Sequence, residues 1–141
     1  MTSIIKVDEI QNKAGTTTLD ADKLPDAYSG SAKFYINFNG IGTAAVNKSL
    51  NHSSLTDNGT GDFTFNFTNN MDGIYYSHVG ASYFDGSTSA VLTFGLRVNT
   101  TWSGERSASL IRYEAIYVNS TNNRTNFDPD DAALTIHGDL A

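Results

Sequence analysis

The sequence predicts an all-β protein, an antiparallel β-sandwich or jelly-roll-like body behind an extended N-terminal arm. Three observations carry that expectation. Apolar residues recur at period two in short runs, glycine-containing turn dipeptides separate those runs, and no stretch keeps a helical period long enough for an ordinary helix. The palette agrees, with 7 Tyr, 8 Phe and 12 Gly against 2 Pro in 141 residues. Aromatic side chains fit a pleated surface, and Gly supplies the backbone angles that tight turns need.

The arm comes first. Residues 1–27 are dense in charge, with Lys6, Asp8, Glu9, Lys13, Asp20, Asp22, Lys23 and Asp26, and the chain beyond Tyr28 is sparser. Ile4, Ile5, Val7 and Ile10 are the apolar residues available for anchoring, and Ile5 and Val7, with Ile10, are spaced for one face of a short extended stretch. A segment with so little apolar surface orders only by packing on something else. The arm is therefore expected to dock onto partner chains.

The body, residues 28–141, reads as strand after strand. Phe34, Ile36 and Phe38 alternate with Lys33, Tyr35 and Asn37, and Phe63, Phe65 and Phe67 repeat the pattern. Leu92, Phe94, Leu96 and Val98 form another such face, and Leu134 with Ile136 closes the series. Asn39-Gly40, Asn58-Gly59, Asp72-Gly73, Asp85-Gly86 and Ser103-Gly104 punctuate the runs.

Two runs are apolar on both faces. In Ile74 to Phe84, Ile74, Tyr76 and His78 oppose Tyr75, Val79, Ala81 and Tyr83; in Leu110 to Val118, Leu110, Ile116 and Val118 oppose Ile111, Tyr113, Ala115 and Tyr117. One small sandwich has one inside, so the second face calls for a covering loop or another subunit. Symmetric association is the common way to bury such a surplus. A homotrimer is expected, with Tyr75, Tyr83, Tyr113 and Tyr117 as its interface candidates.

Charge and composition exclude several classes of function. A net charge of −6, with no cluster of Lys and Arg, argues against nucleic acid. The absence of cysteine removes disulfides and thiolate chemistry. No apolar run reaches membrane-spanning length, and the start lacks the pattern of a secretion signal. Synthesis in a cytoplasm is the expectation, with any extracellular life beginning by assembly and release. The N-x-S/T triplets from Asn47 to Asn123 then reflect composition rather than glycosylation.

Two segments resemble known proteins. Ala32–Thr43 (AKFYINFNGIGT) followed by Asn51–Phe67 (NHSSLTDNGTGDFTFNF) is similar to a module common in bacteriophage tail fibres and related virion proteins. Ile4–Asn12 with Gly15-Thr16-Thr17 resembles the start of marine phage fibre proteins. Tyr35 stands where that family often has Trp, and Tyr28 follows the arm without the long shaft of many fibres. The resemblance implies a virion protein without enzymatic activity, a short trimeric fibre or a fibre-like decoration. It would be fixed to other virion proteins of tail or capsid through residues 1–27. The rival implication is a lectin-like adhesin that grips host surface saccharide.

Candidate chemistry is sparse. Asp57 with Asp62, and Asp128, Asp130 and Asp131, could supply oxygen ligands to a hard cation. They lack the spacing of a calcium loop and read as turn-forming aspartates, so no metal or other cofactor is expected. His52, His78 and His137 are single, Glu105 and Glu114 are the only glutamates of the body, and no nucleophile motif occurs. Trp102, between two strong strands, is either a surface anchor or a packing residue. With Arg106 and Tyr83 it makes up the receptor-contact set.

Overall fold

The computed structural model describes residues 9–11, 18–20, 31–83, 91–96, 105–118, 121 and 123–141, with 9–11, 18–20 and 91–96 described by backbone alone. Contacts divide the chain into two units, Met1–Ser31 and Ala32–Ala141. Among the described residues every regular element is a strand.

In the first unit, β1 (Glu9–Gln11) pairs antiparallel with β2 (Thr18–Asp20), setting Ile10 opposite Leu19. The arm thus carries a short hairpin that periodicity did not signal, because three pairs leave no run of alternation to detect. Ile4, Ile5 and Val7 lie outside the described residues.

The second unit holds two antiparallel sheets. One runs in the order β4 (Ala45–Leu50), β3 (Phe34–Asn39), β11 (Asp131–His137), β7 (Ser77–Tyr83). The other is built on β9 (Leu110–Val118), joined by β5 (His52–Gly59), β6 (Asp62–Phe67), β8 (Val91–Leu96) and β10 (Arg124–Asn126). Register fixes its layout. β8 shares β9 residues with both β6 and β10, so it takes one edge of β9, while β6 and β10 follow one another along the opposite edge.

Alternation decides which residues face inward. Phe34, Ile36 and Phe38 of β3, Phe63, Phe65 and Phe67 of β6, and Leu134 and Ile136 of β11 are buried in one core with Ile111, Tyr113 and Ala115 of β9. The β3 and β6 rings meet across the two sheets, with centroids 4.9 Å apart for Phe38–Phe63, 5.2 Å for Phe38–Phe65 and 5.0 Å for Phe34–Phe67. Burying one such side chain stabilises the fold by about 1.5–3 kcal/mol. An all-β body of two antiparallel sheets is therefore what the alternation specified, and the arrangement is consistent with a sandwich.

Two local devices hold the sheets together. β4 and β5 belong to different sheets, and a single residue links them, Asn51 with φ of 56°. Its side chain donates to the Asn69 carbonyl at 3.0 Å and accepts from the Asn69 amide at 2.7 Å. Asparagine tolerates this left-handed conformation better than most residues.

The second device is the DNGTGD hairpin. Gly59 and Gly61 take positive φ of 125° and 69°, and the Gly59 amide donates to Asp57 at 2.9 Å. Gly61 is buried beneath β9, where its carbonyl accepts from Ala115 at 2.7 Å and its amide donates to Asp128 at 2.8 Å. Asn39-Gly40 opens the turn between β3 and β4, where the Asn39 side chain accepts from the Ile41 amide at 2.7 Å, and Gly40 adds a close approach. It keeps to negative φ, and a Cβ there would lie 2.7 Å from both Phe63 and Pro129.

Candidate functional site

The two sheets turn different outer faces to water. On the β9 sheet polar side chains described on the outer face engage one another. Arg112 donates to both carboxylate oxygens of Asp62, at 2.7 and 2.6 Å, which is the bidentate geometry that suits a guanidinium. Arg124 and Asn126 converge on Glu114, and Asn58 donates to Thr64 at 2.9 Å. Leu110, Ile116 and Val118 lie half-buried on this side. The Asp62 pairing and the Asp128 contact with Gly61 give two of the candidate metal ligands structural jobs. Among the described residues no three ligand-type side chains gather.

The β4-β3-β11-β7 face differs. Register aligns Leu50, Tyr35, Thr135 and Val79 in one row across all four strands, and Lys48, Asn37, Ala133 and Ala81 in the next. Asp131 sits opposite Tyr83 at the far end of β7. Tyr35 is 37% exposed, Leu50 47%, Val79 65% and Tyr83 57%. These four side chains leave on the order of 400 Å² of largely apolar surface in water. Of the two apolar faces expected for residues 74–84, β7 shows the outer one, with Val79, Ala81 and Tyr83 pointing out, while the side chains pointing in are His78, Gly80 and Ser82 and Ile74 is 44% exposed.

The interface candidates separate. Tyr75 (93% exposed) and Tyr83 are surface residues. Tyr117 packs half-buried against Phe127, with ring centroids 6.1 Å apart. Tyr113 departs from the expectation. It is fully buried between the sheets with its hydroxyl on Nδ1 of His78, so it holds this chain's own core together and offers nothing to a second copy. Its place on β9 alternates with Arg112 and Glu114, which face out.

Of the receptor-contact set, Tyr83 is exposed, and Trp102 lies outside the described residues. Arg106 is taken up by the fold. Its guanidinium lies 4.8 Å from the Tyr76 ring centroid and donates to the Ile74 carbonyl. Burial pushes the Tyr76 phenol up to about 12, with Arg106 opposing the shift. Burial also raises the Tyr113 phenol and lowers both His52 and His78, the latter aided by the Arg106 charge.

One cavity adjoins this region. It has a volume of about 230 Å³ and is lined by Met71, Asp72, Gly73, Tyr75, Tyr76, Gly138 and Asp139. The Asp72 amide donates to the Asp139 carbonyl at 2.9 Å, and Met71 bridges Leu140. Sequence reasoning registered Asp72-Gly73 only as a turn, because nothing local connects residue 72 with residue 139. A signal for the remaining wall was present in the adjacent pair Tyr75-Tyr76, which must face opposite ways in an extended chain.

Comparisons with protein-family models, curated proteins and solved structures give no match for this chain.

Proposed function

We propose that this chain is a non-enzymatic structural protein of a bacteriophage particle. It works as a short trimeric fibre or fibre-like decoration, held to tail or capsid through residues 1–27. The observation that carries the reading is the outer face of the β4-β3-β11-β7 sheet, where exposed Leu50, Tyr35 and Val79 share one row with Thr135 and Tyr83 stands further along β7. A patch of this size lies within the roughly 300–600 Å² that often marks a functional surface on a monomer. Copies of the same chain are the natural cover, because the face carries few charges on a chain whose net charge is −6. The resemblance of Ala32–Thr43, Asn51–Phe67 and the arm to phage fibre proteins supports the virion setting.

The mechanism is additive contact. Three arms joined by one associated body bind a particle far more tightly than one arm, since the second and third attachments are intramolecular. No chemical step is required of any side chain, and the durability of the body comes from its packed core and from association.

Sedimentation velocity on the full chain over about 1–100 µM tests the reading, since an oligomer responds to concentration. A trimer is expected, and Val79→Glu, which places three like charges on the contact, should shift it to monomer without loss of β-sheet circular dichroism. A wild-type chain that stays monomeric throughout, or a Val79→Glu variant as trimeric as wild type, would sink the assignment.

A further inference from the structure

We propose that Asn58-Gly59, in the β5-β6 hairpin, is a site of self-modification by deamidation. The Gly59 nitrogen attacks the Asn58 side-chain amide with the Asp57 carboxylate as base, and residue 58 becomes aspartate or isoaspartate. The inference is independent of self-association, because every protein atom that reacts lies within three consecutive residues of one copy.

The sequence holds two Asn-Gly pairs, and the fold gives them different surroundings. Gly40 is buried, its amide donates to the Pro129 carbonyl at 2.8 Å, and the Asn39 side-chain oxygen accepts from the Ile41 amide at 2.7 Å. The Gly40 nitrogen therefore faces a carbonyl, which is a poor base, and the close approach of Phe63 and Pro129 crowds any ring that would form there. Asn58-Gly59 differs on each count. Residues 57–59 are exposed, and pairing passes from Asp57 opposite Phe63 to Gly59 opposite Asp62, so Asn58 stands opposite no residue of β6. A bulge residue of this kind is not clamped by the ladder. A Cβ on Gly59 would meet nothing within 4 Å, which leaves space for ring closure and for water. The Gly59 amide donates to a carboxylate oxygen of Asp57 at 2.9 Å, so a base already sits on the proton that must leave.

In the first step the Gly59 nitrogen bonds to Cγ of Asn58 and gives its proton to Asp57, which returns it to Nδ2 as that nitrogen departs as ammonia. A cyclic imide (succinimide) remains. Water then adds to one of its two carbonyl carbons and the ring opens there. Opening at the side-chain carbonyl gives aspartate, and opening at the backbone carbonyl gives isoaspartate, with the main chain routed through the side-chain carbon. Nucleophile, electrophile and base are neighbours in one segment, so no encounter has to be arranged. Conversion also alters the hairpin. Nδ2 of Asn58 donates to Thr64 Oγ1 at 2.9 Å and to Asp62 Oδ1 at 3.4 Å, and a carboxylate in its place has no hydrogen to give. It faces Asp62 with like charge, so the hairpin loosens as conversion proceeds.

The test incubates the full chain at about pH 6 and follows residues 39 and 58 by peptide mapping and mass spectrometry, with an isoaspartyl methyltransferase to score isoaspartate. Residue 58 is expected to convert to a mixture of aspartate and isoaspartate while Asn39 stays intact. Asp57→Ser keeps an oxygen at that position but removes the base, and it should slow conversion at least about tenfold without loss of β-sheet circular dichroism. Were Asp57 only a brace for the turn, its loss would free Asn58 and speed the reaction, so the direction of the change separates the two roles. Asn58→Asp, which carries the product charge, should melt below wild type. The proposal is overturned if Asn39 converts as fast as Asn58, if aspartate forms without isoaspartate, or if Asp57→Ser converts as fast as wild type or faster.

Discussion

Replacing Gly61 with alanine tests whether the DNGTGD hairpin is a lock between segments rather than a surface turn. A Cβ on Gly61 would lie 2.5 Å from the Ala115 carbonyl oxygen, 2.8 Å from the Phe127 oxygen and 2.9 Å from the Phe127 nitrogen. All three are backbone atoms, so no side-chain rotation relieves the contact. The φ of 69° adds about 1–2 kcal/mol for a residue with a side chain. Moving the loop away strains or breaks two hydrogen bonds, the 2.7 Å bond from the Ala115 amide and the 2.8 Å bond to Asp128. Each contributes about 0.5–1.5 kcal/mol, more where a carboxylate accepts. The expected destabilisation is about 3–5 kcal/mol, or a fall in melting temperature on the order of 10–20 °C for a domain of this size. Gly59→Ala is the control, because positive φ of 125° is its only penalty and nothing lies within 4 Å. Urea unfolding followed by circular dichroism measures both. If Gly61→Ala costs no more than Gly59→Ala, the hairpin is not held by close approach and the reasoning fails.

Two more outcomes follow from the polar contacts. Asp62→Asn removes the bidentate partner of Arg112, whose side chain is only 24% exposed, and is expected to cost about 1–3 kcal/mol in urea unfolding; a change below about 0.5 kcal/mol would mean that Glu105 takes over the pairing. Burial holds the pKa of His52 and of His78 below the ordinary 6.5, so the unfolded chain takes up protons more readily than the folded one. Stability from these histidines is complete above about pH 6.5 and falls as pH drops through the lowered folded-state values. A urea midpoint lower at about pH 5 than at pH 7.5, with part of the difference removed in His78→Gln, is expected. A flat profile would refute the coupling.

How much of this was legible in the sequence depends on the range of the interaction that decides it. Phe34-Ile36-Phe38 and Phe63-Phe65-Phe67 declare their strand and their inward face without outside information, because alternation is a property of neighbours. Tyr113 could not be sorted in the same way, since Tyr suits either face. Its burial depends on His78, 35 residues away in sequence. β4 escaped notice for the opposite reason, as an edge strand whose six residues are all exposed and therefore carry no apolar rhythm. The Asp72–Asp139 contact, which builds the cavity, joins positions that only the completed sheet brings together.

The contrast between the outer faces bears on how self-association would cover the β4-β3-β11-β7 sheet. The β9 sheet spends its charged side chains on one another, in the Asp62–Arg112 and Glu114–Arg124 pairs. On the aligned rows of the opposite face the charged residues are Lys48, on the edge strand β4, and Asp131, beside Tyr83. Asp131 lies on β11, so one strand, β3, separates it from Lys48, and Asn37 of β3 donates to its carboxylate. In a twofold contact Lys48 of one copy can meet Asp131 of the other and the reverse, whereas a threefold ring is heterologous and repeats one such match at each contact. A match between Lys48 of one copy and Asp131 of another is therefore open to either symmetry, and the copy number is what sedimentation velocity decides.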